Sequence, residues 1–158
     1  MNNDRLLSYV DRAGQFYSHY SSISPVAGRL LGYLTICEPE QQSINQLTVA
    51  LKTSRSAIVG AVQVLENRHI VKRMRFAGSR NDLISFYAAA FENRGFDGTA
   101  YVELANLFKE GINLLNTKSP ERHTQLEELV QFSKFLAKRM PLLQKEWYTQ
   151  RDAKPKKK

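Results

Sequence analysis

The chain has 158 residues, of which 42% are hydrophobic, and a formal net charge of +8. A chain of this length buries enough apolar surface for one folded domain with a helical attachment. Its single cysteine, Cys37, excludes an internal disulfide framework. The longest mostly apolar run, residues 25–37, is interrupted by Arg29 and is too short to cross a bilayer. We therefore expect a cytoplasmic protein with no membrane partner.

The positive charge is concentrated in two segments. Residues 52–82 contain seven basic and two acidic side chains, and residues 151–158 contain five basic and one acidic. Charge that serves only solubility would be spread evenly, so a basic internal segment favours a surface that binds a polyanion. We expect the lysine-rich tail to be disordered, and it either aids solubility or anchors DNA non-specifically.

The N-terminal part of the sequence predicts two helices. Apolar residues recur at helical spacing between residues 4 and 20. A second helix is predicted to begin at Ser24 and Pro25, because serine is a good N-cap and proline suits the first helical position. We expect this helix to run through Ile36 and to stop before Pro39.

Two further helices and a hairpin are predicted between residues 43 and 87. Ser43 and Gln46 have the spacing of a capping box, which predicts the start of a short third helix. After a break at residues 52–53, Ser54 predicts the N-cap of a fourth helix. Residues 71–87 alternate around a turn-rich loop and predict a β-hairpin.

The C-terminal part is predicted to be helical, with one helix over residues 102–115 and another from Pro120. Apolar residues of the last helix alternate at spacings of three and four, which is typical of a coiled-coil seam. The seam consists of Leu126, Leu129, Ser133, Leu136, Met140, Leu143 and Trp147. Packing within the chain would explain the seam as well as dimerisation does, and Ser133 weakens the coiled-coil interpretation. We expect Pro141 to kink or break this helix.

The order of these elements predicts a mainly α protein with a small β-hairpin wing. We divide it into an N-terminal dimerisation helix over residues 1–22 and a winged helix-turn-helix domain over residues 23–92. A helical dimerisation region over residues 97–150 and a disordered tail over residues 151–158 follow. Because one helix of such a domain fits the major groove, the pattern indicates a protein that binds double-stranded DNA.

The predicted DNA-binding residues lie on the fourth helix and the hairpin. Arginine pairs with guanine, glutamine pairs with adenine, and a helix N-terminus favours phosphate. The candidates on the helix are Ser54, Arg55, Ser56, Val59, Gly60 and Gln63. The candidates on the wing are Lys72, Arg73, Arg75 and Arg80. We expect the strand residues to contact phosphate, and Arg80 near the tip to enter the minor groove.

Simpler interpretations stand beside these. Basic residues also protect an exposed sheet edge, so the hairpin charges need not bind DNA. Gln63 is equally consistent with an ordinary solvent-facing side chain. Gly60 costs the helix about 1 kcal/mol relative to alanine, which indicates close approach by either DNA or another helix.

Several segments together resemble the GbsR branch of the MarR-type regulators, over about residues 20–92. They are Val26-Ala-Gly-Arg-Leu-Leu-Gly-Tyr-Leu34, Ile44…Leu47…Leu51, Thr53-Ser-Arg-Ser-Ala57, Val64-Leu-Glu…Ile70-Val-Lys-Arg73 and Gly78-Ser-Arg80. The resemblance implies a homodimer joined by its terminal helices, with two wings on a pseudo-palindromic site. It places Arg55 and Ser56 on the recognition helix and Arg80 on the wing.

Regulators of this branch often sense small molecules, in some cases quaternary ammonium osmolytes, which an aromatic cage suits. The aromatic candidates are Tyr9, Phe16, Tyr17, Tyr20, Tyr33 and Tyr87. Aromatic residues at helical spacing more often belong to a core or a dimer interface, so we assign no effector residue.

Catalysis and cofactor chemistry find no support in the sequence. The three histidines are far apart and lack metal-ligand spacing, and Cys37 stands alone in an apolar setting that favours a packed thiol over a redox sensor. We therefore expect a non-enzymatic, sequence-specific transcriptional regulator, a repressor, with no cofactor. The alternatives are an architectural DNA-binding protein of low sequence specificity and a winged-helix module that binds a protein partner.

Overall fold

The computed structural model describes residues 3–75, 81–114 and 120–153. Within these ranges the helices are α1 (Asn3–Ser21), α2 (Pro25–Leu34), α3 (Ile44–Leu51), α4 (Arg55–Asn67), α5 (Ala88–Gly95), α6 (Thr99–Leu114) and α7 (Pro120–Asp152). The strands are β1 (Gln42–Ser43), β2 (Val71–Met74) and β3 (Leu83–Phe86). The predicted fold class, mainly α with a small wing, is confirmed. None of the helices described is both long and apolar enough to cross a membrane.

The chain forms two compact units, Met1–Phe91 and Glu92–Lys158. In the first unit, α1 packs closely against α2 because small residues line the crossing. A Cβ atom added to Gly32 would lie 2.4 Å from the Cβ atom of Ala13. A Cβ atom added to Gly28 would lie 3.0 Å from the Cα atom of Gly14. The helix that we predicted as a separate dimerisation segment over residues 1–22 therefore packs within the first unit. Its part in dimerisation stays a prediction.

Helix α2 begins as predicted and ends earlier than predicted. The side chain of Ser24 accepts a hydrogen bond from the backbone N–H of Ala27 at 3.2 Å, which confirms the N-cap. The helix ends at Leu34, with Thr35 as its C-cap. The extension through Ile36 is therefore wrong. The hydroxyl of Thr35 donates to the carbonyl of Gly32 at 2.8 Å, which satisfies a carbonyl of the last turn.

The caps of α3 and α4 are confirmed. The backbone N–H of Ser43 donates to Gln46 Oε1 at 2.8 Å, and the backbone N–H of Gln46 donates to Ser43 Oγ at 3.3 Å. Lys52 ends α3 in the left-handed conformation, with φ of 49°. Ser54 then caps α4 by accepting from the N–H of Ala57 at 3.3 Å. The left-handed Lys52 and the N-cap Ser54 therefore make the tight turn between α3 and α4.

The inner faces of α2, α3 and α4 make the core of the first unit. The largest buried side chains of these helices are Leu30, Leu31, Leu47, Leu51, Ile58, Val62 and Leu65. Each is at most 1% exposed. Because the buried residues of α3 and α4 repeat at helical spacing, these two helices turn their polar faces to solvent, whereas α1 covers the other side of α2.

The predicted hairpin is confirmed and belongs to a larger sheet. Strands β2 and β3 pair antiparallel, with Val71 opposite Phe86 and Met74 opposite Leu83. Strand β1 pairs with the other edge of β3, so the strand order is β1-β3-β2. Ile84 of β3 is fully buried and joins the sheet to the helical core. A two-residue strand is too short to show alternation, which is why the sequence did not predict β1.

In the second unit, α7 is one continuous helix over Pro120–Asp152, so a break at Pro141 is wrong, and a kink there stays a prediction. Proline removes a single hydrogen bond, the one to the carbonyl of Ala137 four residues earlier. That carbonyl faces Gly98, where an added Cβ atom would lie only 2.9 Å from the Ala137 oxygen. Glycine therefore allows the chain before α6 to approach the carbonyl that proline leaves unpaired.

The predicted seam on α7 divides between two faces. Ser133 is 1% exposed, and the neighbouring Val130 is also buried, so packing within the unit explains this part of the seam. Leu129 and Leu143 are about 40% exposed. They extend a second, solvent-facing apolar face, which also includes Phe132, Phe135 and Leu142. We call these five residues the outer face of α7. The sequence did not predict α5, since its alanine-rich start gives little periodicity.

Candidate nucleic-acid interface

Helix α4 presents all six of its predicted DNA-binding residues to solvent. Its buried residues are Ile58, Ala61, Val62 and Leu65. Its exposed residues include Ser54 at the cap and then Arg55, Ser56, Val59, Gly60 and Gln63. Tertiary packing therefore holds one side of the helix in place and leaves the opposite side free for a ligand.

Gly60 has open space around it. A Cβ atom built at this position meets no atom within 4 Å among the described residues. Packing against another helix of the same chain therefore does not explain this glycine, and close approach by a ligand stays a prediction. Gln63 donates to Asn67 at 2.9 Å, one helical turn further on. This exposed contact costs little to exchange for a base edge.

The arginine at the start of α4 contacts the preceding helix. Arg55 Nη1 donates a hydrogen bond to Asn45 Oδ1, and Asn45 is the second residue of α3. The hydroxyls of Ser54 and Ser56 lie 3.2 Å apart. Asn45 was not among the predicted DNA-binding residues, because only the turn between the two helices brings residues ten apart into contact.

The wing arginines form a chain of ion pairs with two acidic residues. Arg73 Nε and Nη2 donate to both carboxylate oxygens of Glu66, with the shortest contact at 2.7 Å. Arg73 Nη1 contacts Asp82 at 3.2 Å, and Arg75 Nε contacts the other oxygen of Asp82 at 2.6 Å. Glu66 lies in the last turn of α4, so this chain ties α4 to β2 and to Asp82, the residue just before β3. Sequence reasoning missed both carboxylates.

The ion pairs shift the ionisation of the groups involved. The hydrogen bonds that Arg73 donates to Glu66 are the main cause that raises the pKa of Arg73. The hydrogen bond from Arg75, followed by that from Arg73, holds the pKa of Asp82 below its usual range. Two carboxylates thus offset the charge of Arg73, whereas Arg75 pairs with Asp82 alone and keeps 69% of its side chain exposed, against 31% for Arg73. The two arginines are not equivalent in what they offer a polyanion.

The remaining wing residues are placed differently. Lys72 Nζ lies 3.4 Å from the centroid of the Tyr87 ring, in a cation–π contact. Arg80 at the predicted tip, and residues 154–158 of the lysine tail, lie outside the described residues. A shallow hollow of about 180 Å³ lies between α4 and the wing. It is lined by Ile44, Asn45, Arg55, Val59, Arg73, Arg75, Asn81 and Asp82.

Among the aromatic candidates for an effector site, Phe16 and Tyr20 are exposed. Tyr9, Tyr17 and Tyr33 pack against the core of the first unit, as structural aromatics do. Cys37 is 7% exposed, and burial raises the pKa of its thiol, which disfavours the reactive thiolate. Among residues 3–75, 81–114 and 120–153 we find no cluster of side chains suited to hold a metal ion.

Comparison with known proteins identifies the family. The sequence profile of MmpR5-like MarR family transcriptional regulators matches residues 97–150. The HTH-type transcriptional regulator MmpR5 of Mycobacterium tuberculosis (strain ATCC 25618 / H37Rv) is 30% identical over 125 residues, which cover 78% of this chain and 75% of that protein. A crystal structure described as a transcriptional regulator superposes with a TM-score of 0.78 at 25% identity, covering 92% of this chain and 99% of that one. The GbsR branch is not confirmed, but the wider resemblance is: the chain belongs to the MarR family of transcriptional regulators.

Proposed function

We propose that the protein is a sequence-specific, dimeric DNA-binding repressor of the cytoplasm, with no enzymatic activity. The observation that carries this proposal is the exposed face of α4 beside a wing that carries exposed arginine. A helix of this kind fits the major groove with its first turn against base edges. The related proteins are named as transcriptional regulators, which supports the same function.

The proposal assigns different tasks to the two parts of the surface. Arg55 and Gln63 read bases, because their side chains form paired hydrogen bonds with guanine and adenine. Arg75 contributes affinity through phosphate, which carries no sequence information. Ser54 and Ser56 lie where the positive end of the helix dipole favours a phosphate oxygen.

A dimer supplies the second half-site. The outer face of α7 leaves three large side chains between 54% and 58% exposed, namely Phe132, Phe135 and Leu142. An apolar face on a long helix is typical of a surface that a second copy covers. Two copies related by a two-fold axis would present two α4 helices to a palindromic site.

Selection of bound sequences from random DNA, at near-physiological salt, tests the proposal. We expect a palindromic consensus, with a half-site spacing of about 10 base pairs or a multiple of it. Removal of residues 151–158 should leave that consensus unchanged. A bound pool without a consensus would favour the architectural alternative, and no binding at all would favour a protein-interaction module.

A further inference from the structure

One polar contact joins the two helices of the helix-turn-helix motif on their solvent side. Arg55 Nη1 donates to Asn45 Oδ1, and both side chains are exposed. The packing of α3 against α4 rests instead on buried residues such as Leu47, Leu51 and Ile58. Because the fold does not depend on the contact, its main effect is on the direction in which the Arg55 guanidinium points.

The chemistry of the contact leaves Arg55 able to bind a base. A guanidinium carries five N–H donors in a planar fork, and paired recognition of guanine uses two of them. The contact with Asn45 occupies a donor on Nη1 alone. A neutral amide oxygen also leaves the positive charge of Arg55 uncompensated, in contrast to Arg73, whose charge two carboxylates offset.

Charged groups near Arg55 would favour other orientations of its guanidinium, and the hydrogen bond to Asn45 opposes them. Arg55 lines the hollow between α4 and the wing, together with Asp82 and Arg75. Asp82 is a carboxylate within the same hollow and would attract a free guanidinium, whereas Arg75 would repel it. A hydrogen bond on the α3 side of the hollow therefore limits the rotamers of Arg55 before DNA arrives, which is how a pre-organised side chain gains selectivity.

We propose that Asn45 is a positioning residue for Arg55 and determines how strictly Arg55 selects one base pair. This inference rests on the proposed function, since it requires that Arg55 reads a base. Asn45 acts through the arginine and does not contact the base itself. Its effect must therefore vanish when Arg55 is absent.

The test repeats the selection from random DNA with four proteins: wild type, Asn45→Ala, Arg55→Ala and the double variant. We expect Arg55→Ala to lose the preference at one base pair of each half-site. Asn45→Ala should reduce the preference at the same base pair by about 3- to 10-fold, the loss of one hydrogen bond. Adding Asn45→Ala to Arg55→Ala should change nothing further. Asn45→Asp keeps the acceptor and should retain the base preference, but its carboxylate offsets the charge of Arg55 and should weaken the affinity for all sequences alike.

Val49→Ala is the matched control, since Val49 is 77% exposed one turn further along α3. It should leave every preference unchanged, and all variants should unfold at the wild-type temperature. The inference is overturned if Asn45→Ala keeps the wild-type preference, or if it alters specificity in the Arg55→Ala background as well. If the wild-type protein itself selects no consensus, the proposed function fails before this step, so the two failures are distinguishable.

Discussion

Replacement of Arg73 and of Arg75 by alanine should have different consequences, although Arg73 lies in β2 and Arg75 follows only two residues later, just beyond the end of that strand. Arg73 makes a forked ion pair with Glu66, and the two side chains are 31% and 23% exposed. A partly exposed pair of good geometry contributes about 1 kcal/mol to the free energy of unfolding. For a chain of 158 residues, this loss corresponds to a fall in Tm of about 2–4 °C.

The DNA affinities of the two variants should respond differently to salt. Each phosphate contact adds about 0.9 to the slope of log affinity against log salt. If Arg75 holds one phosphate, the affinity lost in Arg75→Ala should shrink by about 3.5-fold between 50 and 200 mM salt. Arg73→Ala should keep the wild-type slope, because Glu66 and Asp82 already offset its charge. The slope of log affinity against log salt distinguishes the two variants, whereas the affinity itself does not. The carboxylates of Glu66 and Asp82 that remain in Arg73→Ala repel DNA, so this variant loses affinity as well.

Thermal unfolding and fluorescence anisotropy at four salt concentrations would measure both effects. Arg12→Ala, an exposed replacement on α1, is the control for a change of one unit in net charge. The reasoning is refuted if Arg73→Ala flattens the slope as much as Arg75→Ala does. The reasoning is also refuted if Arg73→Ala unfolds at the wild-type temperature, because the ion pair with Glu66 would then contribute nothing to the free energy of unfolding.

Three further predictions concern packing, pH and assembly. Gly32→Ala should lower the free energy of unfolding of the first unit by about 1–3 kcal/mol, because the new methyl group overlaps Ala13. Denaturant titration measures this loss, and a loss below about 0.5 kcal/mol would contradict the prediction. Asp82 has a pKa lowered mainly by Arg75, so its contribution to stability is complete above the unfolded value of about 3.9 and is lost as the pH falls through the lower folded pKa. Carboxyl NMR titration of wild type and Arg75→Ala should show that pKa rise in the variant. Phe132→Glu, on the outer face of α7, should convert a dimer to monomer in sedimentation and weaken binding to the palindrome, whereas a variant that stays dimeric would exclude this face.

The helix-turn-helix could be predicted in detail because its signals are local. Ser43 with Gln46, and Ser54, mark helix starts through hydrogen bonds that span only three residues. The outward residues of α4 followed from the period of its apolar face. Such features depend on neighbours in sequence, which a single sequence displays directly.

What the sequence could not supply was the identity of long-range partners. Glu66 and Arg73 are seven residues apart on different elements, and only the strand after α4 brings them together. Asn45 was overlooked for the same reason. The continuity of α7 through Pro141 also depends on tertiary structure, since Gly98 lies against the carbonyl that proline frees. The local rule that proline ends a helix is therefore wrong at this position.

The length of α7 makes its proline mechanically significant. A helix of 33 residues is about 50 Å long, and the part before Pro141 accounts for about 30 Å of it. Where one rung of the hydrogen-bond ladder is missing, bending costs less than elsewhere along the helix. A bend of only 5° at that point would displace the first turn of α7 by about 3 Å. The outer face of α7 extends to both sides of Pro141, so the curvature of this one helix would govern how well two copies of the face match along their length.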